Sequence, residues 1–261
     1  MIRHGKVLAC ILSVALGTAS AAWAGAITAR GSDSTTDVVK ALAEAYKAKS
    51  GQEVKVEGGG SGKGVKDCLA GEVDIAVLSR DLKAKEKTEG LVGVAYALDA
   101  VAIVVNKANT VEGLTLEQLK DFYTGKTTTW PDGKPVLALT RPDGSGTREC
   151  FTHFVLGEAK LSEKVVVKHE KAIDATVSKA VTAVAYNSAG AVATDANIKV
   201  VKVNGVLPTP ATIRDKSYPI CRELTLATKG EPKADAKAFL DFVLSADGQK
   251  IVQAQSYVPM K

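Results

Sequence analysis

The chain has 261 residues, 46% of them hydrophobic, and a formal net charge of +5. That length suits two small lobes better than one compact core, and no interior run is long and apolar enough to cross a bilayer. The lysines are scattered among acidic residues, which describes a solvated surface and excludes a nucleic-acid-binding stripe.

Residues 1–24 read as a signal peptide. Arg3, His4 and Lys6 form a short basic start, an apolar run follows from Val7 to about Ala22, and Ala22-Trp23-Ala24 has the small-x-small pattern of a cleavage site. Cleavage after Ala24 leaves a mature chain beginning at Gly25 and placed in the periplasm. Val7-Leu8-Ala9-Cys10 has too little apolar sequence before it for a lipid anchor. Without Arg3 and Lys6 the net charge falls to +3.

In the mature chain, short β-branched runs alternate with amphipathic stretches. Residues 27–29 predict a strand. A helix over 36–50 follows, with Val39, Leu42, Ala43 and Tyr46 on one face. A second strand (54–57) ends at Gly58-Gly59-Gly60; a helix over 63–70 and a third strand (74–78) come next. This β-α-β-α-β order implies a parallel sheet with helices on both faces. Residues 100–105 are apolar enough for a buried strand. Thr115-x-x-Gln118 is a capping box opening a helix over 116–123. Strands are predicted at 136–140, 181–186, 198–203 and 224–228, a loop at 208–218, and helices at 235–244 and 246–255. The strands near 100–105 and 221–228 are candidate crossovers. They divide the mature chain into a discontinuous lobe (25–101 plus 224–261) and an inserted lobe (102–223), with a cleft between them that closes by hinge motion.

Three Gly/Ser/Thr clusters each follow a predicted strand and precede a predicted helix: Gly31-Ser32-Asp33-Ser34-Thr35, Gly60-Ser61-Gly62 and Gly144-Ser145-Gly146-Thr147. A helix N-terminus offers unpaired N–H groups and the positive end of a dipole, and small residues let an anion approach that backbone. One such cluster serves equally well as a helix cap; three together point to a shared anion site. Arg141, four residues before Ser145, adds a guanidinium that matches a tetrahedral oxyanion, and Asp143 is close enough in sequence to orient it. Arg80 follows the third strand at the same kind of end.

Other chemistries lack their motifs. Around Gly62-Lys63, Glu57 and Gly64 stand where a P-loop needs Gly and Ser or Thr. His153 and His169 lie outside any metal-ligand spacing and read as surface or packing residues, and there is no Gly-x-Ser-x-Gly elbow. Nothing implies a cofactor or catalysis. Of the mature cysteines, Cys68 reads as a small buried hydrophobe, and a Cys150–Cys221 disulfide stays open, since spacing cannot set the distance.

With these residues in order, the chain resembles the phosphate-binding proteins of ABC phosphate uptake systems, in the type II periplasmic binding protein superfamily. The strongest match is Arg141-x-Asp143-Gly144-Ser145-Gly146-Thr147. Gly60-Ser61-Gly62 with Gly64-Val65, Asp74-Ile75-Ala76 followed by Ser79-Arg80, Leu114-Thr115 through Trp130-x-Asp132-Gly133, Tyr218-Pro219 with Arg222, and the closing Gly248-Gln249-Lys250 with Tyr257-Val258-Pro259 support it. The resemblance implies a two-lobed α/β fold of two mostly parallel sheets joined by two crossover strands. It also implies a monomer that carries inorganic phosphate to a membrane permease. Ser32, Asp33, Ser34, Ser61, Ser79, Arg80 and the Arg141–Thr147 segment would then face the ligand. A carrier for a sulfate-like oxyanion, or a sensor with no transport role, shares the same pattern. Members of the family accept the phosphate proton with an Asp near the end of the third strand. Here that step reads Ser79-Arg80, and Asp33 is the expected substitute, unless it only caps the first helix.

Overall fold

The computed structural model describes residues 25–192 and 196–260; the segment read as a signal peptide lies outside them. Its first elements are β1 (Ile27–Gly31), a 3₁₀ turn, α1 (Thr36–Ser50), β2 (Val54–Glu57), α2 (Ser61–Ala70) and β3 (Ile75–Leu78). The apolar face of α1 buries Val39 and Leu42 completely, and Gly51 ends the helix in the left-handed region. A short α3 (Ala84–Thr88) leads into β4 (Leu91–Asn106), sixteen residues long. The strand expected at 100–105 is therefore only its second half; Asp99 interrupts the apolar run and hides the rest.

Next come β5 (Gly113–Leu114), α4 (Leu116–Thr124), β6 (Leu137–Thr140), α5 (Gly146–Phe151), β7 (Val166–Val167), α6 (Glu170–Val177), β8 (Ala183–Ser188) and β9 (Ile198–Val203). The Thr115–Gln118 capping box forms in both directions. Within the expected loop at 208–218 lies a helix, α7 (Pro210–Arg214), capped by Thr209 with Pro at its first position. The chain closes with β10 (Cys221–Lys229), α8 (Ala234–Leu244), α9 (Ala246–Ala254) and β11 (Val258–Pro259).

The main sheet runs β2-β1-β3-β10-β4-β8-β6-β7. The β1, β2 and β3 strands are parallel, as are β6, β7 and β8. Between these groups run the two long strands, β4 and β10, antiparallel to each other and to their neighbours. The first half of β4 pairs with β10, and its second half pairs with β8 and β9. One continuous strand thus belongs to both halves of the sheet.

Side-chain alternation puts a core on each face of each half. In β3, Ile75 and Val77 pack under α1 and α8, while Ala76 and Leu78 pack against α2. Along β4, Val101, Ile103 and Val105 face α4 and α5, while Ala102 and Val104 face α6. Each Val, Leu or Ile buried this way stabilises the fold by roughly 1.5–3 kcal/mol relative to exposure. The loops at the ends of β1, β2, β3 and β6 are left to meet one another.

Candidate functional site

Those loops meet through side chains and backbone. The Gly62 N–H donates to Gly144 O across the cleft at 3.0 Å, and Ser34 Oγ lies 2.9 Å from Thr147 Oγ1. Two glycines permit the approach. Gly60 adopts φ +88°, and a Cβ on Gly146 would overlap the Ser61 and Ser79 hydroxyls.

The buried hydroxyls fall into two bonded pairs, Ser34 with Thr147 and Ser61 with Ser79. Ser61 opens α2, and its Oγ accepts the Ser79 N–H at 3.2 Å and lies 3.4 Å from Ser79 Oγ. Ser145 caps α5 by accepting the Arg148 N–H. Ser32 is buried, with its N–H held by Val77 O. Arg141 is 1% exposed, and its Nη1 donates to Ser34 Oγ (3.3 Å) and Asn187 Oδ1 (3.2 Å). Its Nη2 lies 3.2 Å from Glu170 Oε2 and 3.8 Å from Asp33 Oδ2. A cavity of about 440 Å³ abuts this group, with Asp33, Ser34, Glu170 and Tyr257 in its lining.

Two expectations need correction. The Arg80 guanidinium does not face the hydroxyls. It pairs with both oxygens of Glu86 (2.8 and 2.7 Å) and with Glu149 (2.7 Å). Burial works against its charge, but these carboxylates outweigh it and raise its pKa. Arg80 is thus held between two carboxylates. Asp143 does not orient Arg141 either. The chain turns at Asp143-Gly144, with Gly144 at φ +81°, so the Asp143 side chain is 94% exposed and pairs with Arg148 at 2.9 Å.

Asp33 holds an intermediate place. One oxygen accepts the Gly59 N–H at 2.8 Å, tying the first loop to the second, and its side chain is 36% exposed. It makes no capping bond to the helix that follows.

Sequence reasoning missed Glu170, Asn187 and Asp99, and named Arg222 only as part of the resemblance, with no role at the site. Glu170 stands at the start of α6, well buried, and burial raises its carboxyl pKa against the pull of Arg141. Asp99 and Arg222 are paired in register on β4 and β10 and joined by an ion pair at 2.7 Å. A lone carboxylate inside an apolar strand was the available signal for Asp99. Cys150 and Cys221 are free thiols, as is Cys68; Cys221 is partly exposed, with its Sγ 3.1 Å from Tyr218 O.

A two-halved α/β sheet with loops converging on a buried arginine defines the class. Residues 16–247 match the model of the PBP superfamily domain. Phosphate-binding protein PstS of Bacillus subtilis is 31% identical over 246 residues, covering 90% of this chain and 81% of that protein. A structure from Clostridium perfringens, described as a phosphate ABC transporter substrate-binding protein with bound phosphate, superposes with a TM-score of 0.86. It is 35% identical and covers 91% of this chain and 100% of that one. An ABC-type phosphate transport receptor from Vibrio cholerae gives 0.76 at 29% identity, with 89% and 99% covered. The chain belongs to the PstS family of phosphate-binding proteins.

Proposed function

We propose that this protein is a non-enzymatic receptor that captures inorganic phosphate in the cleft and delivers it to the permease of an ABC transporter. The observation that carries this reading is the convergence of the Ser34, Ser61, Ser79 and Thr147 hydroxyls, from loops of both halves, beside the buried Arg141. These are donors, and they are already desolvated, so a compact oxyanion gains charge-assisted hydrogen bonds at little ordering cost. Ser32 and the Ser145-Gly146 backbone complete the donor set.

Glu170 is the better placed of two carboxylates to accept a proton from the bound anion. It is more buried than Asp33 and closer to Arg141. A carboxylate there accepts a hydrogen bond from HPO₄²⁻ and repels SO₄²⁻, which has no proton to give. Asp33 then acts at the rim, through Gly59.

The lobes proposed are 25–101 plus 224–261 and 102–223, hinged on the crossing strands. Export through the signal at 1–24 puts the mature protein in the periplasm as a monomer. Calorimetric titration of refolded, ligand-free protein with phosphate and with sulfate tests the reading. Tight one-to-one phosphate binding without a sulfate signal supports it. Preference for sulfate keeps the anion site and overturns the substrate, and binding of neither removes the function.

A further inference from the structure

Arg222 touches no part of the cavity described above, yet it reaches both flanks of the cleft. Its Nε and Nη2 donate to Asp99 Oδ2 at 3.0 and 2.7 Å. Its Nη1 donates to Ser79 O at 3.0 Å and to Thr147 Oγ1 at 2.9 Å. Ser79 follows β3, whereas Thr147 lies in α5. Asp99 is 1% exposed and also accepts the Ser188 hydroxyl at 2.8 Å. Asp99 and Arg222 therefore form a fixed post on the two crossing strands, and a single nitrogen of that post holds one residue from each side.

We infer that Arg222 is a positioning residue for oxyanion binding: it turns the Thr147 hydroxyl into an obligate donor and favours the closed cleft by bridging Ser79 and Thr147. A guanidinium has donors only, and a hydroxyl has one hydrogen and two lone pairs. Because Thr147 Oγ1 accepts from Arg222, its hydrogen must point elsewhere. The neighbour in reach is Ser34 Oγ, which itself accepts from Arg141. Each of these hydroxyls is thus polarised by its own arginine, and each has a hydrogen to offer an anion entering between the loops. Hydrogen bonds in such a chain strengthen one another in a low-dielectric site. The pair also explains why a charge is tolerated here. Burial disfavours the Arg222 cation, but the surrounding groups, Asp99 foremost, together raise its pKa. Opening the cleft would separate Ser79 from Thr147 and cost the Arg222 Nη1 one of its two bonds.

This inference rests on the oxyanion reading, and a double-mutant cycle separates the two. Dissociation constants are measured by calorimetry for the wild type, Arg222→Lys, Thr147→Val and the double variant. The ligand is whichever of phosphate, arsenate and sulfate the wild type binds most tightly. Arg222→Lys keeps a cation beside Asp99 but cannot hold Asp99, Ser79 and Thr147 together; it should weaken binding about tenfold, the size of one charge-assisted hydrogen bond. In the Thr147→Val background the same change should cost less than threefold, because there is no hydroxyl left to orient. Melting temperatures of the four proteins report the structural part separately. If Arg222→Lys fails to fold, Asp99→Asn/Arg222→Met, which removes both charges, takes its place in the cycle. Equal losses in both backgrounds, or no loss in the first, overturn the assignment. A wild type that prefers sulfate overturns the phosphate reading alone, and one that binds none of the three anions overturns both.

Discussion

Replacing Glu170 with glutamine keeps the shape of the side chain and removes its charge. The carboxylate lies 3.2 Å from Arg141 Nη2, so an anion held by Arg141 would sit about 4 Å from it. Two unit charges at that distance repel by about 4 kcal/mol at an effective dielectric of ~20. With 12% of the side chain exposed and some freedom to withdraw, about half of that is a reasonable expectation. Sulfate should then bind Glu170→Gln about 30-fold more tightly than it binds the wild type. Phosphate loses the same repulsion but also a charged acceptor for its proton, worth roughly 1.5–3 kcal/mol, so its affinity should stay within about tenfold. The phosphate-to-sulfate ratio therefore falls by about 30-fold. The pH dependence has a definite sign. Burial raises the Glu170 pKa, so acidification neutralises it starting above the usual carboxylate value of about 4.3. Wild-type affinity for sulfate, whose charge is constant over that range, should rise as the pH falls, and that of Glu170→Gln should not. Calorimetry at a series of pH values reads both effects. An unchanged ratio in Glu170→Gln, or a collapsed ratio in Asp33→Asn instead, refutes the assignment.

Other substitutions test the remaining geometry. Gly146→Ala should lower phosphate affinity more than 100-fold, by about 3 kcal/mol, because its Cβ would push into the Ser61 and Ser79 hydroxyls; titration of the folded variant checks it. Asp143→Ala should leave affinity within about twofold, since the Asp143 side chain is 94% exposed and pairs with Arg148. Acid unfolding reports on Glu86. Burial pushes its pKa up, but hydrogen bonds and charge from Arg80 and Lys83 together more than reverse this and lower it. A lowered carboxylate pKa stabilises the fold above the unfolded value of about 4.3, and that stability is lost as the pH falls through the folded value. Urea midpoints of Glu86→Gln should thus be lower than wild type at pH 7, and the gap should close as the pH falls below about 4.3.

Much of the fold was legible because its pattern is local. The period of apolar residues from Val39 to Tyr46 located α1 at its observed bounds, and Val54–Glu57 and Ile198–Val203 were found where expected. The first half of β4 was not legible, since its small, mixed residues have meaning only beside β10. The short helix α7 begins at a proline, which reads as a loop until Thr209 is seen to cap it. The hydroxyl loops and Arg141 could be read from contiguous motifs. What could not be read is which carboxylates each arginine meets. Arg80 is paired by Glu86 and Glu149, and Arg141 meets Glu170, through contacts that no sequence spacing announces. Arg222 stood in plain view after Tyr218-Pro219, but its role depends on Asp99, 123 residues away.

The antiparallel seam between β3 and β10 has a consequence for how the chain is made. Leu78 pairs with Thr225, so 147 residues must be synthesised before the strand edge next to β1 finds its neighbour. At roughly 5–20 residues per second that interval is about 7–30 s. For all of it, the run Ile75–Leu78, buried at every position in the finished molecule, presents unpaired amides and carbonyls to whatever is nearby. The stretch between Ala100 and Cys221, which are register partners, can assemble during that wait. The half that begins the chain is the last to be sealed, because β10 follows the whole of that stretch.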